Sequence, residues 1–183
     1  DGFQDFSINK NLSIVCFNEK QWIGNGLIIP SGPLRERLTA LKRANCVIIN
    51  GKKNTDNEKR ILSHNKEIKI FYTKYKAQNI DEFRNKKVIA FAGIGSPDSF
   101  FDLLKNNNID ILEKISFPDH YNYSDKELEN LINKAKENNT ILLTTEKDYL
   151  RIEENYKKNI NCLKIVVEIE NRNQFIEEIK KVI

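Results

Sequence analysis

The sequence has no methionine, a single tryptophan, only two histidines and three cysteines among its 183 residues. Cys16, Cys46 and Cys162 share no CxxC spacing, which excludes a zinc-ribbon or disulfide-frame reading. Each lies in an apolar run, so all three are expected to be small buried hydrophobes in a reducing compartment. Long apolar runs are also missing; none approaches the roughly 20 residues that a helix needs to span a bilayer. A cytoplasmic location is therefore expected. Charge of one sign is not in large excess, with 30 Lys+Arg against 26 Asp+Glu. No basic block with interleaved aromatics occurs either, which argues against a nucleic-acid partner. There is no internal repeat, no Walker lysine loop and no complete GxGxxG. A chain that starts at Asp1 and holds no methionine reads as a piece of a longer protein whose N-terminal portion is missing.

Apolar and charged residues, at 39% and 31%, are those of an ordinary globular domain. Short apolar runs predict strands at 12–17, 46–50, 68–73, 88–92, 109–117, 140–144 and 161–168. Val47-Ile48-Ile49 and Ile141-Leu142-Leu143 are continuous, as in strands covered on both faces. Pro33 with Leu34, Leu38 and Leu41 predicts a helix through about Ala44. Ser96-Pro97 predicts the start of a second, and Ser124-x-x-Glu127 is a capping box before a third. Thr145 can cap a short helix through Asp148, and 173–182 predicts an amphipathic closing helix. Residues 18–26, with Trp22, read as a loop, and 51–59 as a polar turn. Alternation of strand and helix predicts an α/β fold with a mostly parallel sheet, flanking helices and a small antiparallel extension. A bridge between subdomains is expected near 66–87.

The polar and glycine-containing clusters fall where strands give way to helices, the place where ligands bind in open parallel sheets. Asp1-Gly2-Phe3-Gln4 can serve a metal or be a simple turn. Pro30-Ser31-Gly32-Pro33-Leu34-Arg35-Glu36 offers Arg35 to a phosphoryl oxygen and Glu36 to a metal or its water, unless both are merely solvated at a helix start. Gly93-Ile94-Gly95-Ser96-Pro97 gives a close-approach backbone and a helix N-terminus suited to anions, with Gly93, Gly95 and Ser96 as candidates; a tight connection without ligand is the competing reading. Asp119-His120 places an imidazole beside a carboxylate on a loop fixed by Pro118, where it can handle a proton or tie down the loop. In Thr144-Thr145-Glu146-Lys147-Asp148, capping accounts for Thr145 and Asp148 but leaves Lys147 free for a phosphate. His64, in a polar run, reads as a surface residue.

Taken in order, these clusters resemble the C-terminal part of the tetraacyldisaccharide 4'-kinase family, the lipid A 4'-kinases of Gram-negative bacteria. The resemblance rests on Asp-Gly-Phe-Gln at 1–4, Pro-x-Gly-Pro-Leu-Arg-Glu at 30–36, Phe-Ala-Gly-Ile-Gly-x-Pro at 91–97, Phe100-Phe101, Phe-Pro-Asp-His-Tyr at 117–121 and Thr-Glu-Lys-Asp at 145–148. It implies a P-loop kinase-like fold that transfers the γ-phosphoryl group of ATP, with Mg²⁺, to the 4'-hydroxyl of a tetraacylated glucosamine disaccharide 1-phosphate. The family's opening motif is Asp-Asp-Gly-x-Gln, of which Asp1 is the second aspartate. The resemblance then assigns Asp1, Gln4 and Glu36 to the metal shell and Arg35 to phosphate. His120, with Asp119 beside it, matches the catalytic histidine, which in the family works with an aspartate of the N-terminal half. The Walker A loop, that aspartate and the membrane-docking N-terminal region are not in this sequence. The intact protein is expected at the cytoplasmic face of the inner membrane, and the chain alone is expected to be inactive, because phosphoryl transfer depends on positioning and electrostatics. The rival reading is a non-catalytic α/β domain that binds a nucleotide or phosphorylated ligand through Gly93–Pro97 and Lys147. A structural partner, its clusters only caps and turns, is the third.

Overall fold

The computed structural model describes residues 2–182. In chain order, β1 (Ile14–Asn18), β2 (Cys46–Asn50), α1 (Thr55–His64) and β3 (Lys69–Ala77) are followed by β4 (Lys87–Ala92), α2 (Pro97–Asn106), β5 (Asp110–Ser116) and α3 (Asp125–Glu137). Then come β6 (Ile141–Thr145), the short α4 (Glu146–Tyr149) and α5 (Glu154–Lys157), β7 (Asn161–Leu163), β8 (Ile165–Ile169) and α6 (Arg172–Lys180). The chain divides into two compact units, Asp1–Lys74 with Val167–Ile183, and Tyr75–Val166.

The second unit carries a wholly parallel sheet in the order β5-β4-β6-β7. Its strands alternate inward residues between two helical layers, as a period of two requires. Val88, Ala90 and Leu143 pack with Phe100, Phe101 and Leu104 of α2. Ile89, Phe91 and Leu142 face the opposite way, onto Leu128, Leu131 and Ile132 of α3. A sheet apolar on both faces has no stable alternative to this double cover, since each such side chain contributes about 1.5–3 kcal/mol by leaving water. Parallel pairing sets the carboxyl ends of β4, β5 and β6 at one edge. The capping box before α3 forms as expected, with Ser124 and Glu127 bonding reciprocally.

In the first unit β1, β2 and β3 pair in parallel. β8 completes the order β1-β2-β3-β8. It runs antiparallel to β3, because Glu170 N–H donates to Tyr72 O while Lys164 O accepts from Gln78 N–H. The expected parallel α/β architecture with an antiparallel extension is thus present.

Four local expectations need correction. Leu34 does not begin a helix: its N–H is taken by Leu27 O and its carbonyl by Ile29 N–H, around a cis Ile29–Pro30 bond. The helical turn begins later, as a 3₁₀ segment at Leu38–Arg43. The polar stretch 51–59 holds the start of α1, capped by Asn54, whose side chain accepts from Asp56 N–H and Asn57 N–H. The apolar run 161–168 is two strands rather than one, because Lys164 N–H turns away to the Asn79 side chain. Cys16 is exposed, not buried, while Cys46 is enclosed and burial, with the charges of Cys16 and Glu178, pushes its thiol up to about 11.

Candidate functional site

Three loops leave the carboxyl edge of the second unit's sheet. After β4 the chain passes through Gly93 and Gly95 to α2, whose N-terminal position is Ser96 followed by Pro97. Ser96 does not cap with its side chain; its hydroxyl pairs with that of Ser99 at 2.9 Å. The first N–H groups of α2 therefore have no side-chain cap from that residue. Gly93 admits no side chain cheaply, since a Cβ there would lie 2.8 Å from the Tyr123 hydroxyl and 3.2 Å from Asp148 Oδ1.

The loop after β5 bends at His120, which adopts a left-handed φ of 60°. That conformation costs a residue with a side chain free energy and must be held by its surroundings. Here the His120 N–H donates to Gly93 O at 3.1 Å and to Asp119 Oδ1 at 3.0 Å. The imidazole stands largely in solvent. Its Nε2 lies 3.8 Å from Asp119 Oδ2 and 3.5 Å from Lys147 Nζ, and its Nδ1 lies 2.8 Å from Arg151 Nη2. Lys147 also reaches Asp119 Oδ1 at 3.3 Å. Desolvation raises the Asp119 pKa, but the Lys147 hydrogen bond, the charges of His120 and Lys147 and the His120 N–H outweigh it, holding the carboxyl below its ordinary value.

The loop after β6 is fixed from beneath by Asp148, which has no exposed surface. Its Oδ2 accepts from Gly93 N–H at 3.0 Å and from the Thr145 hydroxyl at 2.7 Å. Thr145 in turn accepts from Asp148 N–H, the cap expected from the sequence. Half-buried Tyr123 stands nearby with its hydroxyl enclosed, and desolvation together with the Asp148 charge raises its phenol far above the ordinary range. Gly93, Gly95, Asp119, His120 and Lys147 are thereby drawn into one cluster. Gly95 joins it because a Cβ there would touch Asp119 Oδ2 at 3.2 Å.

The remaining candidates belong to the first unit. Gln4, Arg35 and Glu36 line one cavity of about 150 Å³, with Phe3, Phe17 and Leu38 among its apolar walls. Both Glu36 oxygens meet Arg43 Nη2 at 2.9 Å, and the Arg43 guanidinium also lies over the ring of Phe3. Asp1 lies outside the described residues. Among the described residues no group of three or more His, Cys, Asp or Glu is placed to hold a metal ion.

The family model for Tetraacyldisaccharide-1-P 4'-kinase matches residues 1–183. The chain belongs to this family. A tetraacyldisaccharide 4'-kinase of Pelagibacter ubique is 41% identical over 189 residues, spanning 99% of this chain and 59% of the relative. That of Rickettsia bellii is 38% identical over 182 residues, again 99% of this chain and 56% of the relative. A solved structure of LpxK from Aquifex aeolicus in complex with ATP superposes with a TM-score of 0.69 at 28% identity, covering 100% of this chain and 56% of that one. The chain therefore spans a little over half the length of these family members, and the family resemblance read from its motifs is borne out. Asp148, Tyr123 and Arg151 are site residues that the sequence reading did not select. The only trace of the Asp148–Arg151 pair was their spacing of three, one helical turn.

Proposed function

We propose that this chain is the C-terminal part of an ATP-dependent lipid kinase that phosphorylates the 4'-hydroxyl of a tetraacyldisaccharide 1-phosphate. The observation that carries the proposal is the family match along residues 1–183. The clustering of a histidine, a carboxylate and a lysine at one sheet edge supports it chemically. His120 handles the proton of the acceptor hydroxyl, directly or by orienting a carboxylate. Asp119 and Lys147 flank it. Lys147 and the N-terminal end of α2, with Gly93, Gly95 and Ser96 before it, provide positive potential for a phosphoryl group or the substrate phosphate. Arg35 serves a phosphate in the first unit.

Mg²⁺ suits the donor chemistry of Asp1, Gln4 and Glu36, because that ion takes one or two carboxylates and fills its remaining positions with water and nucleotide phosphates. Glu36 would have to exchange its contact with Arg43 for the cation. When bound, Mg²⁺ neutralises charge developing on the phosphates. An acylated substrate suits an enzyme that works at a membrane surface, which supports reading the intact protein as peripheral at the cytoplasmic face of the inner membrane. Among the described residues no helix is long and apolar enough to cross a membrane.

The test is ATP-dependent phosphorylation of the disaccharide 1-phosphate by the full-length protein and its His120→Ala variant. Absence of 4'-phosphorylated product from the wild type rejects the substrate. A wild-type rate in the variant instead removes the role of His120.

A further inference from the structure

Arg151 and Asp148 take no part in the chemistry above, yet both bear on His120. Only one oxygen of Asp148 is satisfied by hydrogen bonds, Oδ2 with Gly93 and Thr145. Among the described residues Oδ1 has no hydrogen-bond partner, and neither has the buried Nη1 of Arg151. These two atoms face one another at 3.8 Å, with the Arg151 side chain 24% exposed. An enclosed carboxylate needs a cation, and this pairing orients the rigid guanidinium. With Nη1 turned to Asp148, the other terminal nitrogen reaches His120 Nδ1 at 2.8 Å.

A guanidinium only donates hydrogen bonds. Nδ1 must therefore accept, so in the neutral ring the proton sits on Nε2. Nε2 lies on the side of Asp119 and Lys147. The Lys147 ammonium, which also only donates, stands 3.5 Å away and gives its hydrogen bond to Asp119 Oδ1 at 3.3 Å. The 2.8 Å contact at Nδ1 therefore sets the tautomer. The left-handed backbone at His120, tied to Gly93 O, fixes the ring's point of attachment while Arg151 fixes its far side.

We infer that Arg151, anchored by buried Asp148, is a positioning residue that locks His120 in the Nε2–H tautomer, so that Nε2 is presented as a donor that orients a carboxylate. Its effect on catalysis rests on the proposed role of His120 in phosphoryl transfer; its effect on the tautomer does not.

The experiment uses full-length protein labelled with ¹⁵N-histidine, with the His120 signals assigned by their loss in His120→Gln. At a pH where the ring is neutral, wild type should show an unprotonated Nδ1 and a protonated Nε2. Arg151→Ala should populate both tautomers, and kcat should fall about 10- to 100-fold while KM changes less than about 3-fold, as when an orienting partner of a catalytic group is removed. Arg151→Lys, whose ammonium also only donates, should restore the single tautomer and part of kcat. A proton on Nδ1 in the wild type, or an unchanged tautomer ratio in Arg151→Ala, overturns the inference. A shifted ratio with unchanged kcat overturns its catalytic half. If the wild type makes no product yet shows the Arg151-dependent tautomer, the positioning role stands and the kinase reading alone falls.

Discussion

Gly93 and Asp148 are joined by a single hydrogen bond of 3.0 Å between the backbone N–H of one and the buried carboxylate of the other. It ties the loop after β4 to the turn after β6, and the same Gly93 carbonyl receives the His120 N–H from the loop after β5. All three loops of the cluster thus depend on one glycine and one aspartate, which makes their substitution informative.

Asp148→Ala should leave the Gly93 N–H and Thr145 hydroxyl unpaired and the Arg151 charge without its partner. A loss of about 3 kcal/mol is expected for groups stranded in this way. Urea unfolding measures it, and a loss below about 0.5 kcal/mol, typical of a neutral surface change, would show that the carboxylate does not organise these loops.

Gly93→Ala inserts a methyl group 2.8 Å from the buried Tyr123 hydroxyl and 3.2 Å from Tyr121 Cβ. Overpacking of this kind costs about 1–3 kcal/mol. The expected readout is a lower unfolding midpoint together with a displaced His120 ring signal, since the Gly93 carbonyl also holds the His120 N–H. An unchanged midpoint would mean that the tyrosines yield freely.

Lys147→Ala removes a donor now shared between Asp119 and the neighbourhood of His120. If Lys147 contacts a phosphate in the bound complex, steady-state kinetics should show a KM for ATP or for the disaccharide 1-phosphate raised about 10- to 100-fold, the range for loss of one charge-assisted hydrogen bond. Stability should barely change, because the pair is solvent-exposed. Unaltered KM values for both substrates would remove Lys147 from the phosphate site.

The capping box should make stability pH-dependent. Hydrogen bonds from the Ser124 side chain, Tyr121 and the Ser124 backbone hold the Glu127 carboxyl below its ordinary value of 4.5. A depressed folded-state pKa contributes stability that is complete above the unfolded value and is lost as pH falls through the folded one. Wild type should therefore exceed Glu127→Gln in thermal midpoint at neutral pH, and the two curves should converge on acidification from about pH 4.5 downward. Parallel curves would refute the linkage. Ser124→Ala, which removes the reciprocal partner, should cost about 1 kcal/mol.

The parts of the fold legible in advance were those fixed by neighbouring residues. Ser124 and Glu127 lie within one helical turn, so their box could be read from spacing alone, and the same holds for Thr145 over Asp148. Continuous runs such as Ile141-Leu142-Leu143 announced strands covered on both faces, and Leu142 and Leu143 are buried. Leu34 misled because its N–H is claimed by Leu27 O, a pairing that depends on how the chain folds back at Pro30. The start of α1 was hidden by composition: only Ile61 of its residues is buried, too few to mark a face. In the site, Asp119, His120 and Lys147 stood out by residue type. Arg151 did not, since an exposed-looking cation after a short helix carries no local mark of a partner 31 positions earlier.

The sequence by itself determined the α/β class, the order of the clusters and the family, because each is written in local periodicity, capping and motif. The tertiary structure decided which of those clusters meet, how His120 is held and what Asp148 does. Parallel pairing of β4, β5 and β6 brings three loops to one edge. Burial then changes the meaning of a residue type: on the surface Asp148 would be one more helix-start acid, whereas enclosed it requires the Gly93 N–H, the Thr145 hydroxyl and a facing cation.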